Sequence, residues 1–234
     1  MHRIRGIGGW QKNSFIDFPG KAATVLFFGG CNLRCPYCHN PSLFEDMGTM
    51  EERSNEVWDF LQKRRSMIDG VVLSGGEPTL QPDIVTIANS IRNLGYKIKL
   101  DTNGLKPETI REISPDYLAL DIKTIPENYK TYLNCRISDP QDQLKESISI
   151  VKSMGYDAEI RITLAPGIVT VEDIEKISEL ISGVKNIFLQ RFNDKTPILD
   201  MDFFSDKTDI TDKQCNIMLK HLKKSAEKCS IRNE

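Results

Sequence analysis

The chain has 234 residues, of which 39% are hydrophobic, so it is long enough for one large domain with a substantial core. Lysine and arginine total 31 against 33 acidic residues, and the net charge of −2 gives no basic excess that would indicate nucleic-acid binding. No apolar run approaches the roughly 20 residues of a membrane span, and the first five residues lack the apolar core of a signal peptide. We therefore expect a folded cytoplasmic protein that binds neither nucleic acid nor membrane.

The first predicted element is an opening strand or hairpin within residues 6–20, which ends in the turn signal Pro19-Gly20. Residues 22–28 then form a short continuous apolar run, as expected of a strand that is buried on both faces of a parallel sheet. Gly29 and Gly30 end this run. The next segment is therefore expected to be a loop at the carboxyl end of a buried strand.

That loop carries half of the six cysteines, in the spacing C-x3-C-x2-C: Cys31, Cys35 and Cys38. Three thiolates on a short loop can hold three corners of a cubane iron–sulfur cluster and leave a fourth iron open to another molecule, and an open metal position favours catalysis. A zinc knuckle with His39 as a substitute ligand and a set of reduced structural thiols are the alternatives. The remaining cysteines are widely spaced and fit neither a second cluster motif nor a disulfide framework: Cys135, Cys215 and Cys229.

The cysteine triad followed by His39-Asn40 resembles the cluster loop of radical S-adenosylmethionine (radical SAM) enzymes, particularly of the organic-radical-activating family. The resemblance implies a 4Fe-4S cluster that is ligated by the three cysteines and whose open iron chelates the amino and carboxylate groups of SAM. One electron from the cluster would then cleave SAM to a 5′-deoxyadenosyl radical. Tyr37 and His39 are expected to lie against the cofactor, with ordinary loop packing as the alternative for Tyr37.

The next βα unit has a helix that begins near Ser54 and a strand at residues 71–73 that runs directly into Gly75-Gly76-Glu77. In a parallel sheet, ligand groups collect at the carboxyl ends of the strands. Glycines there let a ligand approach the backbone, and backbone carbonyls can accept hydrogen bonds from an ammonium group. Alone the motif could be a tight turn, but behind a cysteine triad it resembles the family's methionine-binding element.

The pattern repeats with a helix over about residues 82–94 and a strand at residues 97–101, which finishes in the polar residues Asp101 and Thr102. In activases of this family, a similar Asp-Thr pair lies beside the cofactor and can help to bind a monovalent cation. The alternative is a solvated turn closed by Asn103-Gly104.

A helix near residues 107–113 leads to a fourth strand at residues 117–123, on which the period of two puts Asp121 and Lys123 on the same side. The pair matches the family's D-x-K motif, which implies hydrogen bonds to the ribose hydroxyls and the methionine carboxylate. A salt bridge between neighbouring strands is the alternative.

After a helix over about residues 141–154, Arg161 interrupts the otherwise apolar fifth strand at residues 158–164. A buried guanidinium must either pair with an acid or bind the cofactor carboxylate. A further helix near residues 171–181 precedes the sixth strand, where Gln190 stands at a position at which some relatives place a cofactor-touching histidine.

Six βα units are thus predicted where a closed TIM barrel needs eight. The fold class is therefore α/β, and the resemblance implies a partial (β/α)6 TIM-like barrel of the radical SAM type. We predict a single domain with an N-terminal extension at residues 1–21, a barrel core at residues 22–192, and a tail at residues 193–234 that contains a closing helix from Thr211 to Lys228.

The resemblance implies a radical SAM oxidoreductase that abstracts a hydrogen atom from a backbone glycine of a glycyl-radical enzyme. The expected partner is anaerobic ribonucleoside-triphosphate reductase, and the expected electron donor is reduced flavodoxin or ferredoxin. The brevity of the chain favours this function, because a small-molecule enzyme would usually need added substrate-binding segments. The alternatives are a tailoring enzyme for a small metabolite or peptide, and an iron–sulfur or zinc module without turnover.

Overall fold

The computed structural model describes residues 4–44, 51–193 and 196–232, and the elements below are those of these ranges. The chain separates into two compact units, each built from segments that are not adjacent in sequence. Unit 1 comprises Met1–Asn32, Ser42–Thr102 and Glu108–Leu118, and unit 2 comprises Leu33–Pro41, Asn103–Pro107 and Ala119–Glu234. The single domain expected from the sequence stays a prediction.

Unit 1 contains the first strands, β1 (Ile7–Ser14), β2 (Ala23–Phe28), β3 (Gly70–Gly75) and β4 (Lys97–Thr102). Of the predicted opening strand or hairpin within residues 6–20, the structure shows a single strand, β1, which is antiparallel to β2, whereas β2, β3 and β4 are parallel neighbours. All residues of β2 but one are buried, which explains its continuous apolar sequence.

The helices of unit 1 are α1 (Glu51–Lys63), α2 (Ile84–Asn93) and α3 (Pro107–Ile113), of which α3 belongs to the unit from Glu108 onward. α2 buries an apolar stripe at helical spacing: Ile84, Ile87, Ala88 and Ile91. The predicted start of α1 at Ser54 is wrong, because the helix already includes Glu51. Ser54 lies inside it and its hydroxyl accepts a hydrogen bond from the Ile4 N–H (2.9 Å).

Strand β5 (Tyr117–Asp121) passes from unit 1 into unit 2 after Leu118. Unit 2 continues with β6 (Ala158–Leu164), β7 (Val184–Arg191) and β8 (Ala226–Arg232), and β6, β7 and β8 are parallel neighbours. The Ile122 N–H donates to the Arg161 carbonyl (3.0 Å), which joins the end of β5 to β6.

The helices of unit 2 are α4 (Tyr129–Leu133), α5 (Pro140–Met154), α6 (Val171–Leu180) and α7 (Asp212–Leu222). Thr170 and Thr211 begin α6 and α7 with capping boxes, in which the threonine hydroxyl accepts from the third backbone N–H of the helix. The predicted threonine cap at Thr211 is therefore confirmed, whereas the short helix α4 was not predicted.

The prediction that the closing helix continues to Lys228 is wrong, because α7 ends at Leu222 and β8 follows. Strand β8 pairs with β7 along its length. Its last residue, Arg232, makes two hydrogen bonds to the buried carboxylate of Glu159 (both 2.9 Å). This long-range pairing outweighs the helical pattern of the local sequence.

In both units, parallel strands alternate with helices along the chain, so the predicted α/β class is confirmed. The six predicted barrel strands correspond to β2 through β7. Within the described ranges, no helix is long and apolar enough to cross a membrane.

Candidate functional site

The cysteine loop begins directly after β2 in unit 1, where backbone hydrogen bonds fix the two glycines that precede Cys31. The Gly29 N–H donates to the Gly6 carbonyl (2.7 Å), and the Gly30 N–H donates to the Leu43 carbonyl (2.7 Å). Gly30 has a φ of 78°, which glycine adopts at little cost. These two hydrogen bonds and the conformation of Gly30 therefore fix the place at which β2 ends and the cysteine loop begins.

Cys35 and Cys38 belong to unit 2, where the tail of the chain contacts their loop. The Cys38 N–H donates to the Cys35 carbonyl (3.0 Å) and closes a turn. The Leu199 N–H donates to the Cys38 carbonyl (2.9 Å), and the Asp200 N–H donates to the Pro36 carbonyl (3.0 Å). We refer to residues 196–200 as the strap, because this segment holds the cysteine loop through main-chain hydrogen bonds.

Tyr37 and Cys35 are buried side by side in unit 2. Burial raises the pKa of the Cys35 thiol to about 11, although the nearby charge of Lys123 opposes this shift. Burial also holds the pKa of the Tyr37 hydroxyl well above its usual range. The Lys123 ammonium lies 6.0 Å from the centroid of the Tyr37 ring, at the limit of a cation–π contact. The Tyr37 hydroxyl is buried without a hydrogen-bond partner among the described residues, so packing alone does not account for it, and a role in covering a cofactor stays a prediction.

In the part of the chain that the structure describes, no group of three His, Cys, Asp or Glu side chains is arranged so that it could hold a metal ion. The donor set itself fits an iron–sulfur cluster, because three thiols within eight residues can supply three thiolate ligands. Cluster binding would require Cys35 to lose its proton, since metals bind the thiolate. His39 Nδ1 lies 2.9 Å from the Thr196 hydroxyl of the strap.

In unit 1, strand β3 ends in glycines because two backbones approach each other closely there. A Cβ on Gly76 would lie 2.1 Å from the Gly30 carbonyl oxygen, and a Cβ on Gly75 would lie 2.4 Å from the Phe28 nitrogen. The Gly76 N–H donates to the Phe28 carbonyl and the Glu77 N–H to the Gly30 carbonyl (both 2.8 Å). The glycines thus hold the end of β3 against the start of the cysteine loop.

The side chain of Glu77 is fully buried and accepts hydrogen bonds from the loop after β3 and from the end of β4. Its Oε1 accepts hydrogen bonds from the Thr79 N–H (3.1 Å), the Thr79 hydroxyl (2.6 Å) and the Thr102 hydroxyl (2.8 Å). Glu77 therefore ties the loop after β3 to the end of β4. Binding of the cofactor amino group by the backbone carbonyls of Gly75-Gly76-Glu77 stays a prediction.

Asp101 and Thr102, the expected cation ligands, lie at the end of β4 and both have protein partners. The Lys99 ammonium donates to the Asp101 carboxylate, and Lys99 itself is buried. The Thr102 hydroxyl donates to Glu77. The predicted solvated turn does not describe this position, because Thr102 is buried as well.

Asp121, Lys123 and Arg161 meet in unit 2. Arg161 donates from Nε to Asp121 Oδ1 (2.7 Å) and from Nη2 to Asp121 Oδ2 (3.1 Å), and Lys123 Nζ donates to the same Oδ2 (3.1 Å). Burial alone would raise the pKa of Asp121, but the charges of Arg161 and Lys123 outweigh it and hold that pKa well below its ordinary value. The salt-bridge alternative is thus present in the structure, and a contact with the cofactor stays a prediction.

Gln190 lies on β7, where it is paired with Thr163 of β6 on one side and with Arg232 of β8 on the other. The guanidinium of Arg232 lies 3.4 Å from the centroid of the Phe188 ring and also binds Glu159. Gln190 is therefore placed by its strand neighbours, and its contact with a cofactor stays a prediction.

The sequence reasoning did not find two features of this region, Lys99 and the strap. Lys99 could have been found, because a lysine between two apolar residues of a predicted strand requires a partner, and the period of two points to Asp101. The strap could not have been found, because it contacts the cysteine loop from about 160 residues further along the chain, as the His39 to Thr196 separation of 157 shows.

Comparison with known proteins places these features in a family context. Residues 25–181 match the sequence model of the radical SAM superfamily. The Methanocaldococcus jannaschii protein MJ1227, which is named as a glycyl-radical enzyme activating enzyme, is 36% identical over 192 residues, or 78% of each chain. The pyruvate formate-lyase-activating enzyme of Clostridium pasteurianum is 31% identical over 196 residues, which cover 80% of this chain and 79% of that protein.

Two solved structures show a similar fold at low sequence identity. TYW1 with a bound lysine-pyruvate adduct superposes with a TM-score of 0.64 at 17% identity, over 87% of this chain and 74% of that chain. Streptococcus suis SuiB bound to S-adenosylmethionine superposes with a TM-score of 0.60 at 15% identity, over 90% of this chain and 51% of that chain. This likeness shows a shared α/β fold, in agreement with the predicted partial TIM-like barrel.

Proposed function

The chain belongs to the radical SAM superfamily, and we propose that it is an activating enzyme that generates a glycyl radical on a partner enzyme. Membership implies a 4Fe-4S cluster and S-adenosylmethionine as cofactors. The observation that carries the activase function is the 36% identity to MJ1227, which extends over 78% of both chains and therefore includes most of the region after the cysteine loop.

We propose that Cys31, Cys35 and Cys38 ligate the cluster, because their number and spacing supply three thiolates from one short loop. The cluster, when bound, supplies the electron for cleavage of SAM. The chain's own contribution is to place the loop: the glycines after β2 fix its beginning, and the strap holds the backbone around Cys38. Tyr37 and His39 would lie against the cofactor.

The proposed SAM contacts come from the ends of the strands in each unit. In unit 1, the backbone carbonyls of Gly75-Gly76-Glu77 would accept hydrogen bonds from the methionine ammonium, and the pair Asp101-Thr102 would border the cofactor. In unit 2, Asp121 would accept from the ribose hydroxyls, while Lys123 and Arg161 would neutralise the methionine carboxylate. Gln190 would contact the adenosine.

The proposed reaction consumes one electron and one SAM and yields methionine, 5′-deoxyadenosine and a radical at a glycine Cα of the partner. The hydrogen atom that leaves this glycine becomes part of 5′-deoxyadenosine, so atoms and electrons balance. The proposed electron donor is reduced flavodoxin or ferredoxin. We expect the reaction in the cytoplasm, where thiols are kept reduced.

The proposed partner is anaerobic ribonucleoside-triphosphate reductase, which is the partner expected from the resemblance of the cysteine loop to the organic-radical-activating family. Pyruvate formate-lyase is the second candidate, since the 31% identical relative from Clostridium pasteurianum is named for activating that enzyme.

The test is anaerobic incubation of the reconstituted, reduced protein with SAM and each partner, followed by electron paramagnetic resonance. We expect a glycyl-radical signal on one partner together with its enzymatic activity. The variant Cys35→Ala should give no signal, whereas the matched control Cys229→Ala, which changes a cysteine outside the loop, should keep it. The proposal fails if neither partner acquires a radical while a small metabolite or peptide stimulates SAM cleavage.

A further inference from the structure

We infer that the ammonium group of Lys99 takes the place of the monovalent cation expected at Asp101 and Thr102, so that the protein needs no added K⁺ or Na⁺ at this position. The inference rests on the proposed function only in placing Asp101 beside the cofactor. The ion pair itself is a feature of unit 1 that can be measured separately.

The geometry of β4 brings the two charges together. Side chains alternate along a strand, so Lys99 and Asp101 project from the same face of β4. The Lys99 Nζ hydrogen-bonds to Asp101 Oδ1, and the side chain of Lys99 is only 3% exposed. The ammonium group therefore lies beside the carboxylate that an external cation would bind.

The surroundings of Lys99 make this pairing obligatory. Its side chain is almost fully buried, and the residue beside it on β3 is the apolar Val72. A buried ammonium without a counter-ion is strongly disfavoured, so Lys99 cannot leave Asp101 without a large loss of stability.

Thr102, the second expected cation ligand, donates its hydroxyl proton to Glu77 Oε1 (2.8 Å) and keeps its oxygen lone pairs, so the charge next to Asp101 decides whether a cation can bind here. A K⁺ ion at Asp101 would lie next to the Lys99 ammonium, and the two positive charges would repel each other.

The test compares the full-length, cluster-reconstituted protein with Lys99→Met, in which a side chain of similar length has no charge. Thermal unfolding is recorded in KCl, NaCl or tetramethylammonium chloride at equal ionic strength, and Tl⁺ binding is followed by ²⁰⁵Tl nuclear magnetic resonance. The matched control is Lys97→Met, because Lys97 lies on the same face of β4 and pairs with Asp116 but is exposed.

For the wild type and for Lys97→Met, we expect an unfolding temperature that does not depend on which of the three salts is present, and no saturable Tl⁺ binding. Lys99→Met should unfold at a higher temperature in KCl than in tetramethylammonium chloride, and should bind Tl⁺ at least tenfold more tightly than the wild type does. The added replacement Asp101→Asn should abolish this gain.

Two results would overturn the inference: saturable cation binding by the wild type that Asp101→Asn removes, or a folded Lys99→Met that gains no cation dependence. If Lys99→Met does not fold, the wild-type titration alone decides the matter. Neither readout depends on SAM cleavage or on a partner, so failure of the activase proposal would leave the cation result unchanged, and failure here would leave the glycyl-radical result unchanged.

Discussion

Arg161 binds Asp121 through two parallel hydrogen bonds, from Nε to Oδ1 at 2.7 Å and from Nη2 to Oδ2 at 3.1 Å. This fork geometry fixes the carboxylate plane, and Lys123 adds a third donor at 3.1 Å. An arginine that the sequence shows only as a charge inside an apolar strand is thus explained by a partner 40 residues earlier in the chain.

Replacing Arg161 by methionine should lower the free energy of unfolding by about 2 kcal/mol, because Asp121 loses two of its three charge-assisted hydrogen bonds and keeps only the one from Lys123. Urea unfolding measures the change. Arg191→Met is the matched control: its partner Asp212 is exposed, so the loss should stay below about 1 kcal/mol. Equal losses in the two variants would show that the Arg161 pair has no special structural role.

Replacing Gly76 by alanine should destabilise the protein by about 2 kcal/mol, because the new Cβ would lie 2.1 Å from the Gly30 carbonyl oxygen and would force the two backbones apart. The control Gly20→Ala has no atom within 4 Å of its Cβ, so only the strain of its φ of 69° should remain, about 1 kcal/mol. Gly76→Ala should also weaken SAM binding in calorimetric titration, and Gly20→Ala should not. Unchanged SAM affinity in Gly76→Ala would argue against a backbone contact at this position.

The hydrogen bonds between the strap and the cysteine loop predict a role for the backbone N–H of Asp200 and not for its carboxylate. Asp200→Pro removes the N–H that donates to the Pro36 carbonyl, and the reconstituted variant should therefore release iron to a chelator several-fold faster than wild type. Asp200→Ala keeps this N–H and removes only the carboxylate, so it isolates the main-chain effect. If both variants release iron at the wild-type rate, the strap does not stabilise the cysteine loop.

The contacts of Asp116 predict that part of the stability of unit 1 is lost at acid pH. Burial opposes ionisation, but hydrogen bonds from the Ile98 N–H (2.8 Å) and Lys97 (2.7 Å) hold the pKa of Asp116 below its usual value. Its contribution to stability is therefore present at neutral pH and is lost as the pH falls below about 4 toward the folded-state pKa. Asp116→Asn should cost about 1 kcal/mol at pH 7 and less at pH 3 by urea unfolding. The same loss at both pH values would contradict this assignment.

The strands β2 to β7 were predictable because each contains a short apolar or alternating stretch that is bounded by turn signals. The cysteine loop was predictable because three thiols in eight residues form a local pattern. The same reasoning holds for Thr211, whose cap depends only on the residues that follow it.

Strand β8 was not predictable, because its stability comes from pairing with β7 and from the contact between Arg232 and Glu159, 73 residues earlier. The strap depends in the same way on main-chain hydrogen bonds between distant segments. Such hydrogen bonds do not require particular side chains, so they cannot be recognised from the residue types. Glu77 illustrates a third case: its position was recognised, but its buried contact with Thr102 depends on how β3 and β4 pair.

The transfer of deuterium from a partner glycine into 5′-deoxyadenosine tests the central claim most directly. The candidate glycyl-radical enzyme is prepared with α-deuterated glycine and incubated anaerobically with the reduced, reconstituted protein and SAM, and 5′-deoxyadenosine is analysed by mass spectrometry. We predict one deuterium in the 5′-deoxyadenosine, in proportion to the glycyl radical formed. Formation of 5′-deoxyadenosine without deuterium, beside a partner that remains free of radical, would contradict the account.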